Sequence, residues 1–230
     1  MKRRYTTNDF YTINTNELSR KAAIHEAGHA TAIYLGNKQK QLPPIFFQIF
    51  INRLNDDSPT NKSYDSCHDG VTKIDGGRLI HTLPLSFGEA VSNFSSLQKQ
   101  TYQHAFEADI INLLVGPLAE ANYIALRDDE PINQYLVNLD ALHNYGGSSD
   151  LETINDYLDC FIADKVHREK KLSELFLAAF HFINNRSNWH AIVALADHIL
   201  ADSKNIIACE EIIAVLDANC VETQKSIWIQ

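Results

Sequence analysis

Leu18-Ser19-Arg20-Lys21-Ala22-Ala23-Ile24-His25-Glu26-Ala27-Gly28-His29-Ala30-Thr31-Ala32-Ile33-Tyr34-Leu35 is the stretch on which the reading of this chain turns. Leu18, Ala22, Ile24, Ala27, Ala30, Ile33 and Tyr34 recur at helical spacing, and Asn14 to Asn16 stand upstream as capping candidates. An amphipathic helix is predicted, ended by Gly36-Asn37. Inside it, His25-Glu26-Ala27-Gly28-His29 is an HExxH pattern. Histidines four residues apart share one helix face, about 5–6 Å between Cβ atoms, and can converge on one zinc ion. Glu26, beside the first of them, can then reach a metal-activated water. Zinc lowers the pKa of its water to ~7 and a neighbouring carboxylate takes up the proton, so amide-bond hydrolysis is the implied reaction. The same residues could be a polar helix edge and a solvated charge, but placement on an amphipathic helix is what the metal chemistry requires.

Zinc needs a third protein ligand, and the residues after His29 supply neither an HExxHxxGxxH continuation nor an HxxEH. It must come from elsewhere, with Glu120, Asp150, Asp109 and the eight other histidines as candidates. Of these, Asp150 is read near a helix N-terminus, where the macrodipole and the unpaired backbone N–H groups stabilise an anion, but spacing by itself leaves all of the candidates open.

Outward from the motif helix, Pro43-Pro44 precede an aromatic and β-branched run, Ile45 to Ile51, read as a strand with Phe46, Gln48 and Phe50 alternating against Phe47, Ile49 and Ile51. Asn55 to Ser66 is a polar loop. Gly70 to Ile74 and Arg78 to Leu83 flank Asp75-Gly76-Gly77, which predicts a hairpin. The β content is thereby confined to about residues 42–85. After Ser96 everything reads as helix: Leu97 to Val115, a kink or restart at Gly116-Pro117, then Leu118 to Leu126. A shorter segment covers Ile132 to Leu142, and the loop Asn144 to Ser149 offers a capping serine to a helix from Leu151 to about Ala163. Lys165 to Asn184, Trp189 to Ala201 and Glu210 to Ala218 complete the series. Residues 1–230 read as a single domain, mostly α (α+β), with 36–86 as a small β and loop insert.

The 230 residues carry 20 Lys and Arg against 29 Asp and Glu, a net charge of −9, so nucleic acid is not an expected partner. The basic Met1-Lys2-Arg3-Arg4 is followed by polar residues, which argues against a secretory leader, and no apolar run reaches the ~18 residues of a membrane span. Cys67, Cys160, Cys209 and Cys220 form no CxxC pair and are expected as reduced thiols in a cytoplasmic setting. Cys67-His68-Asp69 places three ligand-type side chains in a row, but adjacent residues rarely point at one metal. His104 and His181, among apolar neighbours, read as core or boundary residues.

Three segments, in order, resemble the FtsH-type zinc peptidases, the membrane-anchored AAA+ proteases. Ala23 to Ala30 resembles their HEAGHA segment, Leu114-Val115-Gly116-Pro117-Leu118-Ala119-Glu120 their GGRxAE, and Gly146-Gly147-Ser148-Ser149-Asp150-Leu151 their GASNDL. Ile199-Leu200 to Glu211-Ile212 is more loosely similar to the closing helices, so the resemblance covers Leu18 to Leu216, poorly over Gly36 to Ser86. The family's third zinc ligand is the aspartate of its last motif, which implies His25, His29 and Asp150 as the Zn²⁺ ligands here, with Glu26 as general base. Glu120 is then expected to hold a ligand histidine or the motif helix, with direct ligation as its alternative role.

No Walker A sequence is present, so the resemblance implies an ATP-independent peptidase domain acting on peptides or unfolded segments. Any unfoldase or regulatory partner is not legible, and a monomer or small oligomer is expected. A catalytically silent zinc-binding or regulatory module of the same fold, docking onto a partner protein, is the alternative. A hydrolase acting on a non-peptide amide is a third reading.

Overall fold

The computed structural model describes residues 7–51, 72–133, 135 and 137–220, with side chains from Glu17 onward apart from residue 18. It is mostly helical with a small three-stranded antiparallel sheet. The motif helix α1, Thr7–Thr31, buries a stripe of small and branched residues, Ala23, Ile24, Ala27 and Ala30. That stripe packs against α4 (Ser96–Arg127) and α7 (Arg186–Ala201). At Gly28 a Cβ would lie 2.9 Å from that of Ala119 and 3.0 Å from the Val115 carbonyl, so glycine sets how closely α1 and α4 cross. An Arg20–Asp197 ion pair ties α1 to α7.

The helix begins upstream of the predicted caps and does not stop at Gly36. It runs on through a π-helical turn, Ala32–Gly36, and a short α2, Asn37–Gln39. Gly36 keeps right-handed helical angles, and the turn closes only where Lys40 N–H reaches Gly36 O and Leu42 N–H reaches Asn37 O. The chain then leaves at Gln41, φ +56°.

β1 is Phe47–Ile51, β2 Thr72–Gly76 and β3 Ile206–Ile207, in the order β2-β1-β3. Phe47 opposes Gly76, Ile49 opposes Ile74, and Ile49 also opposes Ile207. Phe47, Ile49 and Ile51 face the core, as their alternation requires. Two expectations fail here. Asp75-Gly76-Gly77 is not a hairpin loop, because β2 pairs back onto β1 and residues 78–83 form no strand. The backbone donors of Leu79 and Ile80 instead go to the Asp109 carboxylate, 2.8 and 2.9 Å away. The β content also extends beyond residue 85, since β3 joins from the far end of the chain; two residues carry no period to announce it.

α4 starts with a Ser95/Gln98 capping box and passes through Gly116-Pro117 as one helix, without the expected restart. Proline inside a helix costs about 3 kcal/mol. Here full burial of Leu114, Val115, Leu118 and Ala119 opposes that cost. Over 132–139 no helix forms among the described residues. The Asn133 and Asn138 side chains take the N–H groups of Tyr135 and Ala141 in local turns, and a 3₁₀ turn follows at Asp140–Tyr145.

α3 (Phe87–Ala90), α5 (Ser148–Phe161), α6 (Lys165–Asn184), α7 and α8 (Cys209–Asn219) complete the fold. α6 has the predicted bounds, set by the Asp164 cap; α7 starts at Arg186 because Asn185 caps it. Phe106 stacks on Phe161, ring centroids 4.3 Å apart, joining α4 to α5. Cys160, Cys209 and Cys220 are free thiols. Among the described residues no helix is long and apolar enough to cross a membrane.

Candidate metal centre

His25 and His29 lie one turn apart on α1, both buried, their rings edge to face with centroids 4.8 Å apart. Each ring is oriented through Nδ1. His25 Nδ1 donates to Glu120 Oε2 at 3.3 Å, and His29 Nδ1 donates to the Asn112 carbonyl at 2.7 Å. With Nδ1 protonated in both, each Nε2 presents a lone pair to the space shared with Asp150. His25 Nε2 is 3.3 Å from Asp150 Oδ2, and His29 Nε2 is 3.5 Å from Asp150 Oδ1. Ligands ~2.0–2.1 Å from a tetrahedral zinc stand about 3.4 Å from one another. The three donor groups, all within 4.8 Å of one another, can therefore hold a metal ion.

Asp150 reaches this position because α5 begins just before it. Gly146 takes φ +71°, Gly147 is the N-cap, and Asp150 lies in the first turn, where the helix dipole favours an anion. The expected capping serine does not cap: Ser148 and Ser149 are already helical, and Ser148 Oγ meets His143 Nδ1 at 3.3 Å. A Cβ on Gly147 would come within 2.8 Å of the Leu142 carbonyl and 2.9 Å of Pro117 Cβ, so the start of α5 rests on Pro117. A Cβ on Gly116 would lie 2.2 Å from His29 Nε2. Gly116-Pro117 is thus the seat of the site, leaving room for one imidazole and supporting the helix that carries the carboxylate.

Burial alone would lower the His25 pKa, but hydrogen bonds with Asp150 and Glu120 and the charges of Asp150 and Glu26 push it up to about 10. For His29 burial is likewise outweighed, chiefly by the Asp150 charge, and its pKa is raised. Burial would raise Asp150, yet the His29 charge and the hydrogen bonds with both histidines hold it well below the usual carboxylate range. The pocket favours positive charge, whether protons on the imidazoles or a divalent ion among their Nε2 atoms.

These groups open onto a cleft of about 770 Å³ lined also by Thr72 to Arg78. Glu26 faces it, and its Oε2 accepts the Ile74 N–H at 2.8 Å. That N–H therefore points away from β1. Among the described residues β2 is the outer strand beside the motif helix, and β1 is central, flanked on both sides.

Of the other candidates, Asp109 lines the cleft, but its carboxylate accepts from Leu79 N, Ile80 N and, at 3.1 Å, the Tyr157 hydroxyl, and it lies outside the three-donor group. Burial raises its pKa despite those donors. His104 and His181 are exposed rather than core or boundary residues, because α4 and α6 turn Ala105, Phe106, Ala179 and Ile183 inward instead. Cys67-His68-Asp69 lies outside the described residues. His198 on α7, Asp202 just past its end and Glu211 on α8 form a second group, which the sequence reading missed. Lys204 Nζ is 2.7 Å from Glu211 Oε2 and 3.8 Å from Asp202, so an ammonium already serves as its cation.

No family model, curated protein or solved structure matches this chain.

Proposed function

We propose that the protein is a zinc-dependent metallopeptidase that hydrolyses peptides or unfolded segments without ATP. The observation that carries this reading is the convergence of His25, His29 and Asp150 donor atoms beside Glu26 in one open cleft. The three segments that resemble FtsH-type peptidases meet there: His25 with Glu120, His29 with Gly116, and both histidines with Asp150.

His25, His29 and Asp150 would hold the ion, a nitrogen-rich set with three protein ligands as catalytic zinc sites use. Bound zinc supplies Lewis acidity and lowers the pKa of a water to about 7. The Ile74 N–H holds Glu26 by Oε2, leaving Oε1 without a hydrogen bond among the described residues. Oε1 takes the proton of the attacking water and returns it to the leaving nitrogen. Glu120 keeps the His25 ring turned inward, and Asn112 does the same for His29. An extended substrate pairing along the outer edge of β2 would have to leave the Ile74 N–H to Glu26 or displace it.

A second reading, a metal-binding module without turnover, draws on one observation: the Glu26 carboxylate is already engaged as a backbone acceptor. Zinc content and peptide cleavage separate the two. About one zinc per chain with cleavage that Glu26→Gln abolishes, zinc retained, supports the peptidase. Zinc without cleavage in the wild type supports the module. Cleavage that survives in Glu26→Gln refutes the proposed base. Asp150→Ala should lose the metal, and unchanged metal content would refute its ligand role.

A further inference from the structure

We propose that Arg78 is a carboxylate-recognition residue of the cleft, reading an acidic side chain or the free C-terminus of a bound peptide; this rests on the peptidase reading above.

The argument starts from the backbone. β2 ends in Gly76 and Gly77 at φ +86° and +80°, and the Gly77 N–H donates to the Phe46 carbonyl at 3.0 Å. A Cβ at Gly77 would lie within contact-forbidding distance of Ile33 Cδ1, so this turn is pressed onto the helical layer. Immediately beyond, Leu79 and Ile80 donate their N–H groups to Asp109, and the Tyr157 hydroxyl donates to the Ile80 carbonyl at 3.0 Å. Arg78 is the residue between these two anchorages. Its backbone is fixed on both sides while its side chain is exposed and lines the cleft shared with His25, Glu26 and Asp150.

Among the described residues its charge is felt by Asp109 and Tyr157 without a direct bond to either. Among the described residues, in a chain of net charge −9, the Arg78 guanidinium makes no ion pair or hydrogen bond. Asp109, whose ionised form the Arg78 charge favours, already binds Leu79, Ile80 and Tyr157. Asp75, the other acid of this wall, accepts from Gln48 Nε2 at 3.4 Å. Among the described residues no acceptor takes the five N–H donors of Arg78, and a planar fork matches a carboxylate in bidentate fashion. Lys73 lines the same cleft and adds a second cation to this wall. A rigid mount lowers the ordering cost of such a contact. In a peptide, carboxylates occur as Asp and Glu side chains and as the C-terminus.

The test uses the full chain loaded with zinc and carrying Glu26→Gln, so that binding is read without turnover. The probes are fluorescein-labelled alanine–serine peptides with a central Glu or Gln, each with a free or an amidated C-terminus, followed by fluorescence anisotropy. The expected result is that a carboxylate strengthens binding and that Arg78→Ala removes about 10- to 100-fold of affinity for carboxylate peptides only. Arg78→Lys should restore part of it, and Arg78→Glu should make the carboxylate peptides the weaker binders. Loss on Glu→Gln assigns a side-chain carboxylate, and loss on amidation assigns the C-terminus. Equal affinity for all four peptides, no binding of any, or a carboxylate preference untouched by Arg78→Ala overturns the proposal. Arg78-dependent carboxylate binding in a protein whose wild type cleaves nothing keeps this inference and removes the peptidase reading.

Discussion

Replacing Gly116 by alanine adds one methyl group on a helix, a change that ordinarily gains about 1 kcal/mol in a helix interior. Here the added Cβ would lie 2.2, 2.4 and 2.7 Å from Nε2, Cε1 and Cδ2 of His29. Carbon and ring atoms rest about 3.5 Å apart, so the imidazole must retreat by more than ~1 Å. Metal sites tolerate about 0.2 Å in ligand distance. His29 is therefore lost as a ligand while the fold survives, since an overpacking cost of ~1–3 kcal/mol is partly offset by helix propensity. Structural zinc sites, with four protein ligands, provide about 10–16 kcal/mol in all, so losing one ligand should cost on the order of 2.5–4 kcal/mol, roughly 10²-fold in affinity. Competition with a chromogenic chelator measures this, with circular dichroism to show that the helices persist. Gly88→Ala is the control, because a Cβ there meets nothing within 4 Å and should leave zinc affinity unchanged. A Gly116→Ala protein that binds zinc as tightly as the wild type would refute the placement of His29 against α4.

Glu120→Gln keeps the shape but weakens the acceptor of His25 Nδ1–H, and should lower zinc affinity about 10–100-fold in the same chelator competition. Unchanged affinity would show that Glu120 does not orient His25. The metal-free protein should respond to pH through the same cluster. His25 titrates near 10 in the fold against 6.5 unfolded, so its contribution to stability is complete below pH 6.5 and lost as pH rises through about 10. Asp150, depressed from 3.8, contributes above that value and loses its contribution only on strong acidification. Melting in chelator should therefore fall between pH 6.5 and 10, while the stabilisation added by zinc grows as protons cease to compete. A melting temperature flat across this interval, or zinc stabilisation that shrinks, would contradict the electrostatics described.

Local patterns in the chain carried a large part of the structure. His25, Glu26 and His29 can be picked out because helix geometry alone puts residues four apart on one face. α6 has the bounds read from sequence because its cap, Asp164, is adjacent to the helix it starts. Asp150 was reachable from its place at a helix N-terminus and from the family resemblance, although the serines before it do not cap.

Non-local contacts decided the rest. Gly116-Pro117 reads as a break because local propensity penalises both residues, yet packing on His29 and Gly147 keeps the helix continuous and makes the pair the seat of the site. Arg78 to Leu83 reads as a strand, but Asp109, 29 residues from Ile80, captures its donors. β3, Ile206–Ile207, closes the second side of β1 from the far end of the chain, and two residues carry no period to announce it. Alone, the sequence determined which residues have metal-binding chemistry and which helices present them, since both follow from neighbours within a turn. Tertiary structure alone decided which strand faces the cleft and where backbone donors go, because each depends on partners that chain spacing leaves unspecified.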